Sequence, residues 1–211
     1  KDGTCTCISC DAVSNINGTT GASNVLDALV NDTLNAQLAT LAKVNLSVIQ
    51  AATPINGGLV PELDINTGKV NVPAGTPAGN YIIAYRICEK LNPSNCDDAN
   101  ILIAVKAATI VANNDLVSNV NGYTGANNVI NALTNDLLNA LAVKPLDVRI
   151  TVITPPVSIN GGPAPTLNLI TGNVSVPSKT PAGTYVIGYQ ICDKLNPTNC
   201  DAAKITITVS T

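Results

Sequence analysis

Three kinds of side chain in this sequence could do chemistry, and each recurs at one fixed spacing. Cys88 and Cys96 bracket an Asn-Pro loop, and Cys192 and Cys200 bracket its twin 104 positions later (192 minus 88). The carboxylates Asp11, Asp32 and Asp97 recur as Asp115, Asp136 and Asp201, and Tyr81 and Tyr85 recur as Tyr185 and Tyr189. Clustered thiols can hold zinc or be oxidised to disulfides. Cys-x7-Cys is not a usual zinc spacing, whereas two cysteines flanking a hairpin loop suit a disulfide and an oxidising, extracellular setting. The expected pairs are Cys88 with Cys96 and Cys192 with Cys200, each closing a loop worth about 2–3 kcal/mol on the chain-entropy estimate. Cys5, Cys7 and Cys10 make an odd group near the N-terminus, so at least one has no partner within the chain.

The recurring acids admit two readings. Hard oxygen ligands at domain ends can hold calcium, which makes Asp11, Asp32, Asp115 and Asp136 candidate ligands. Against this, no DxDxDG loop occurs, and Asp and Asn are common in turns because their side chains bond their own backbone. Asp27 is replaced by Asn131 and Asp64 by Asn168, so a neutral residue is accepted at those places. Turn chemistry is the expectation, structural calcium the rival, and no other cofactor is implied. The tyrosines share strand parity with Ile83, Ile87, Ile187 and Ile191 and are expected in the core rather than on a sugar-stacking face; Tyr123 alone reads as exposed. Lys90 and Lys194 recur inside the cysteine loops, where a solvated lysine is the plain reading. The sequons Asn17-Gly-Thr and Asn173-Val-Ser do not recur at equivalent positions.

Composition narrows the function. The 211 residues include no His, Trp, Phe or Met, and charged residues are 12% of the chain. A histidine acid–base or metal site is therefore impossible, and no nucleophile–base pair can be assembled, so no enzyme is expected. A net charge of −3 argues against nucleic acid as a partner. No apolar run approaches the roughly 20 residues of a membrane span. No signal peptide is recognisable, and an array that begins and ends at unit edges is expected of a piece cut from a longer protein.

The constant offset of 104 aligns two units without a gap, predicted as domains at 1–107 and 108–211. Residues 79–105 and 183–209 alternate apolar and polar on both sides of the Asn-Pro loop, which predicts a β-hairpin. Parity places Tyr81, Ile83, Tyr85 and Ile87 inward and both cysteines of each hairpin outward. Upstream, strands are expected at Asp11–Ile16 and Asp115–Val120, then Asn24–Leu29 and Asn128–Leu133, where a short helix capped by Ser23 is the rival. Further strands are expected at 45–52 and 146–153, followed by a small hairpin at 63–72 and 167–176. About seven short strands per unit, separated by turns, predict an all-β protein of two tandem immunoglobulin-like β-sandwich domains. The connector at 105–114 has no Gly, Ser or Pro run and is expected to be stiff, with strand resuming by Ile110, stacking the domains end to end as a rod. By alignment, residues 1–10 form the connector and first strand of the first unit.

The stretch Thr-Pro-Ala-Gly-x-Tyr…Tyr-x-Ile-Cys-x-Lys-Leu-Asn-Pro-x-Asn-Cys-Asp-x-Ala occurs in both units. It resembles the repeats of giant Bacteroidetes cell-surface proteins, the gliding-motility adhesins of flavobacteria among them. The resemblance covers both units, including the Asn-Asp-x-Leu-Asn segment. It implies type IX secretion, a parent held at the outer membrane, and a role in moving the cell over surfaces, with Cys88, Cys96, Cys192 and Cys200 as structural residues. Asp32-Thr33-Leu34 also resembles that phylum's O-glycosylation motif, which Asp136-Leu137 lacks. The expected function is thus a non-enzymatic extracellular segment of a surface adhesin, a rigid and force-transmitting spacer. Its partners would be neighbouring repeats and, through the parent, an external surface or polysaccharide. The alternatives are repeats that themselves bind polysaccharide weakly and multivalently, or homophilic strand-edge pairing.

Overall fold

The structure, a computed structural model, describes residues 11–211. Cys5, Cys7 and Cys10, and the strand expected within residues 1–10, lie outside the described residues. The chain divides into two compact units at Ala107/Ala108.

In the first unit the strands are β1 (Asp11–Asn17), β2 (Ala22–Asp27), β3 (Thr33–Leu34), β4 (Gln37–Leu38) and β5 (Val44–Gln50). They continue as β6 (Glu62–Asp64), β7 (Lys69–Val72), β8 (Gly79–Glu89) and β9 (Cys96–Lys106). The second unit has β10 (Ile110–Val111), β11 (Asp115–Asn121), β12 (Ala126–Asn131), β13 (Leu137–Leu138) and β14 (Leu141–Ala142). Then follow β15 (Val148–Thr154), β16 (Thr166–Leu167), β17 (Asn173–Val176), β18 (Gly183–Asp193) and β19 (Cys200–Ser210). No helix occurs among the described residues, so none is long and apolar enough to cross a membrane.

Each unit packs a four-stranded sheet on a three-stranded one: β1-β9-β8-β5 on β2-β7-β6, and β11-β19-β18-β15 on β12-β17-β16. That is the immunoglobulin-like sandwich, seven main strands per unit. The expected strand at Asn24–Leu29 is real and the helix alternative fails. Val25 and Leu26 turn onto the core as part of an edge strand paired with β7. The two-residue pairs β3–β4 and β13–β14 were not anticipated. They are made by Asn35-Ala36 and Asn139-Ala140, all four at positive φ, a two-residue turn of the primed kind that twists with its strands.

The cysteine hairpin is the spine of each unit. Its inward face carries Tyr81, Ile83 and Tyr85 on β8 and Ile101, Ile103 and Val105 on β9, all buried, as period-two alternation dictates. β-branched residues and tyrosine fill this face because they fit a pleated, covered surface. The tyrosine at the start of the strand closes a corner: Tyr81 Oη donates to Pro77 O at 2.8 Å, and Tyr185 Oη to Pro181 O at 2.9 Å. The expectation that all hairpin cysteines face outward needs one correction. Cys192 is only 2% exposed. Its cross-strand neighbour on β15 is Arg149, where Cys88 faces Asn45, and the longer stem shields the sulfur.

The first strand of each unit joins the sheet in an unusual sense. β1 pairs parallel with the last strand β9, from Asp11 opposite Ile101 to Asn17 opposite Lys106, with a register shift between Val13 and Ile16. β11 pairs with β19 in the same way. The shift is made by Asn15 and Asn119 at φ 63° and 59°, a left-handed conformation that asparagine tolerates. Just beyond, a Cβ on Gly18 would lie 2.0 Å from Thr76 O, so only glycine lets the strand end meet the loop before β8.

Candidate functional site

The recurring acids meet the recurring tyrosines inside each sandwich. Tyr85 on β8 points inward by parity, and its hydroxyl must find a partner in an apolar core. It lies 3.0 Å from Asp32 Oδ2, 3.1 Å from Asp11 Oδ2 and 2.9 Å from Ala28 O. In the second unit Tyr189 Oη is 3.0 Å from Asp136 Oδ2, 3.4 Å from Asp115 Oδ2, 2.9 Å from Ala132 O and 3.1 Å from Asn113 O. β1 and β11 bring in Asp11 and Asp115 with their first residue. The Asn-Asp turn after β2 or β12 supplies Asp32 or Asp136.

A tyrosine hydroxyl has one proton to donate, so two carboxylates around it compete for it. Burial raises the pKa of all four acids, and the charge of the second carboxylate adds to this for Asp11 and Asp115. Asp115 is pushed up to about 6, by burial first and by the Asp136 charge second, with the tyrosine hydrogen bond opposing both. The same surroundings hold both tyrosines protonated far above their usual range. Asp136 additionally accepts the Asn113 amide at 2.7 Å.

This is a polar knot that ties β1, β8 and the Asn-Asp turn together. Calcium needs several oxygens at 2.3–2.6 Å around an open centre. Here the centre of the oxygen cage is filled by a hydroxyl at hydrogen-bond distance. Among the described residues no three His, Cys, Asp or Glu side chains form a metal-holding group.

Asp97 and Asp201, the third recurring pair, stay at the hairpin tip. There Asp97 Oδ1 accepts the Asp98 amide and Asp201 Oδ1 the Ala202 amide. Beside them the sulfurs of Cys88 and Cys96 are 2.04 Å apart and those of Cys192 and Cys200 2.07 Å apart, each pair at directly opposed positions of the hairpin. Lys90 Nζ donates to Leu41 O at 2.5 Å and Lys194 Nζ to Leu146 O at 2.8 Å, so these lysines tie the loop to the chain entering β5 or β15. Turn chemistry holds where the sequence showed interchange. Asp64 Oδ1 accepts the Asn66 amide and Asn168 Oδ1 the Ile170 amide, both at 2.9 Å.

The tyrosine knot was missed at the level of sequence. Its signal was present: two inward tyrosines with no polar partner on their own strand, and acids keeping constant separations of 53 and 74 residues from Tyr85 and from Tyr189. Tyr123 is 79% exposed, and the four hairpin tyrosines are buried, leaving no aromatic platform on the hairpins.

No family model and no curated protein matches the chain. Among solved structures, human protocadherin-24 EC1-2 is 12% identical with TM-score 0.38, covering 97% of this chain and 96% of that one. Protocadherin gamma B2 extracellular cadherin domains 3-6 is 11% identical with TM-score 0.40, covering 96% of this chain. The human desmocollin-1 ectodomain is 9% identical with TM-score 0.40, covering 95% of this chain. The chain spans 50% and 38% of the length of the last two.

Proposed function

We propose that the chain is a non-enzymatic extracellular repeat segment of a large bacterial surface adhesin, serving gliding or attachment as a force-bearing spacer. The observation that carries the reading is the parallel pairing of the first and last strand in each unit. Tension enters a unit at the start of β1 and leaves at the end of β9. Because these strands run parallel and side by side, the pull slides one along the other and loads their hydrogen bonds together rather than one after another. An element built to transmit force needs this arrangement, and each unit repeats it.

The site chemistry supports the same reading. The repeated acids and tyrosines are turned inward to one another, and the repeated lysines hold backbone, so the recurring polar groups are spent on the fold. The disulfides support an oxidising location outside the cell. The resemblance of the cysteine hairpin to gliding-adhesin repeats supports the parent protein, its secretion and its place at the outer membrane.

Retention of the 211-residue chain on glass, on agar and on a glycan array separates spacer from binder. A spacer shows no saturable retention on any of them, with calcium or with chelator. Saturable retention on one glycan class would transfer adhesion to the repeats themselves.

A further inference from the structure

The two hairpin tips have the same residues but are not equally covered. In the second unit the segment Ala108–Ala112 lies along the tip as an edge strand. Ile110 and Val111 pair antiparallel with Leu138 and Leu137, and the Asn139 amide donates to Thr109 O at 2.7 Å. Asn199 Nδ2 donates to Ala108 O, and the Ala112 amide to Asp201 Oδ2, both at 2.8 Å. Ile110 and Ala112 pack onto the core.

In the first unit the same place is a groove of about 340 Å³ whose lining includes Thr33, Leu34, Asn35, Asn95, Cys96 and Asp97. Asn95 Nδ2 turns instead to Glu89, at 3.1 Å. Ile87, Asn95 and Asp97 are all more exposed than their counterparts Ile191, Asn199 and Asp201, and the core below shows the difference, with Ile191 fully buried.

We propose that Thr4–Ile8, the residues 104 positions before Ala108–Ala112, fill this groove as an edge strand on β3. The acceptors and donors they need are already in place: the Asn35 amide for the Cys5 carbonyl, the Asn95 side chain for the Thr4 carbonyl, and the Asp97 carboxylate for the Ile8 amide. The reach is right as well, because Ser9 and Cys10 span to Asp11 as Asn113 and Asn114 span to Asp115. Thr6 takes the inward place of Ile110. Cys5 and Cys7 take the places of Thr109 and Val111, whose side chains are exposed, so both thiols stand on the solvent side of the strand. Each unit is thereby completed by the chain that leads into it. The inference does not depend on the force-bearing reading.

Amide exchange by NMR tests it in three proteins: the whole chain, a chain beginning at Asp11, and the whole chain carrying Thr6→Asp with Ile8→Pro. Those changes place a charge on the core and remove the donor to Asp97. The Asn35 amide is expected to exchange roughly tenfold faster in both altered proteins, as for one net hydrogen bond lost, with Asn139 and Ile101 unchanged. Should truncation also expose Ile101, the first unit has unfolded and the double substitution alone decides. Equal Asn35 exchange in the whole chain and the double variant overturns the proposal. So does protection that rises with protein concentration, which would assign the groove to a second copy.

Discussion

The two units solve the same packing problem with different charges. In the first, Lys69 Nζ meets Asp27 Oδ2 at 2.8 Å across β2 and β7; in the second the same positions are Asn173 and Asn131, whose amides bond at 2.8 Å. Yet Asp27 Oδ1 and Asn131 Oδ1 both accept a backbone amide, from Leu29 at 3.1 Å and from Leu133 at 2.9 Å. What both units keep is the acceptor oxygen; the charge is dispensable at this exposed edge, where an ion pair contributes only about 0–1 kcal/mol. Arg86 and Asp98, joined at 2.6 and 2.8 Å, likewise become Gln190 and Ala202. The buried knot behaves oppositely. Asp11, Asp32 and Tyr85 reappear unchanged as Asp115, Asp136 and Tyr189, because a hydroxyl inside the sandwich must be met by acceptors at fixed positions.

The largest effect on thermal stability is expected from the clips. Replacing Cys88 and Cys192 by serine should cost about 2–3 kcal/mol per unit, some 10 °C or more in melting temperature, with sheet content unchanged. The clip lies at the tip, five residues before Ile101, where β1 begins to pair with β9. The force needed to unfold a unit should therefore change much less than its melting temperature, and an unchanged melting temperature would count against the clip.

Next is the knot. Tyr189→Phe leaves buried acceptors without their donor and should lower the stability of the second unit by about 1–3 kcal/mol. Tyr123→Phe, on an exposed side chain, serves as the control and should have no effect. Equal melting temperatures for Tyr189→Phe and the parent would mean that the carboxylates, rather than the hydroxyl, hold the turn.

A smaller effect follows from pH. The knot acids have raised pKa values, so the folded units bind more protons than the unfolded chain. Their contribution is fully present below the ordinary value of 3.8 and is lost as pH rises through the folded value, about 6 for Asp115. Melting temperature should thus increase on going from pH 7 to about pH 5. Asp64, Glu89 and Asp98, with lowered pKa values, give up stability only in more acid solution. Asp115→Asn should flatten the rise in the second unit. A melting temperature that falls steadily from pH 7 to 5 would show the acids to be ionised in the folded state without cost.

The fold was legible because strand parity and turn residues are local. Alternation placed Tyr81, Ile83, Tyr85 and the β9 isoleucines on one face, and Asn-Gly, Asn-Pro and Thr-Gly marked the turns. The fate of Asp11 and Asp32 was not legible. Their partner is 74 and 53 residues away, and their sequence context is equally good for a turn. The parallel union of β1 with β9 was hidden for the same reason: pairing between first and last strand leaves no short-range mark. Nor did parity reveal that Arg149 would cover Cys192, since that depends on the neighbouring strand.

The force-bearing account rests most directly on how a unit yields to tension. Single-molecule pulling should be done on the same chain in two geometries: through its ends, and through handles at Asn80 and Lys106. The second peels β8 from β9 beginning at the Gly79–Val105 end. Two unfolding events at forces several-fold above the peeling force are predicted for end-to-end pulling, as parallel strands sheared together require. Unfolding through the ends at forces no higher than peeling would contradict the account and leave the β1–β9 pairing without a mechanical role.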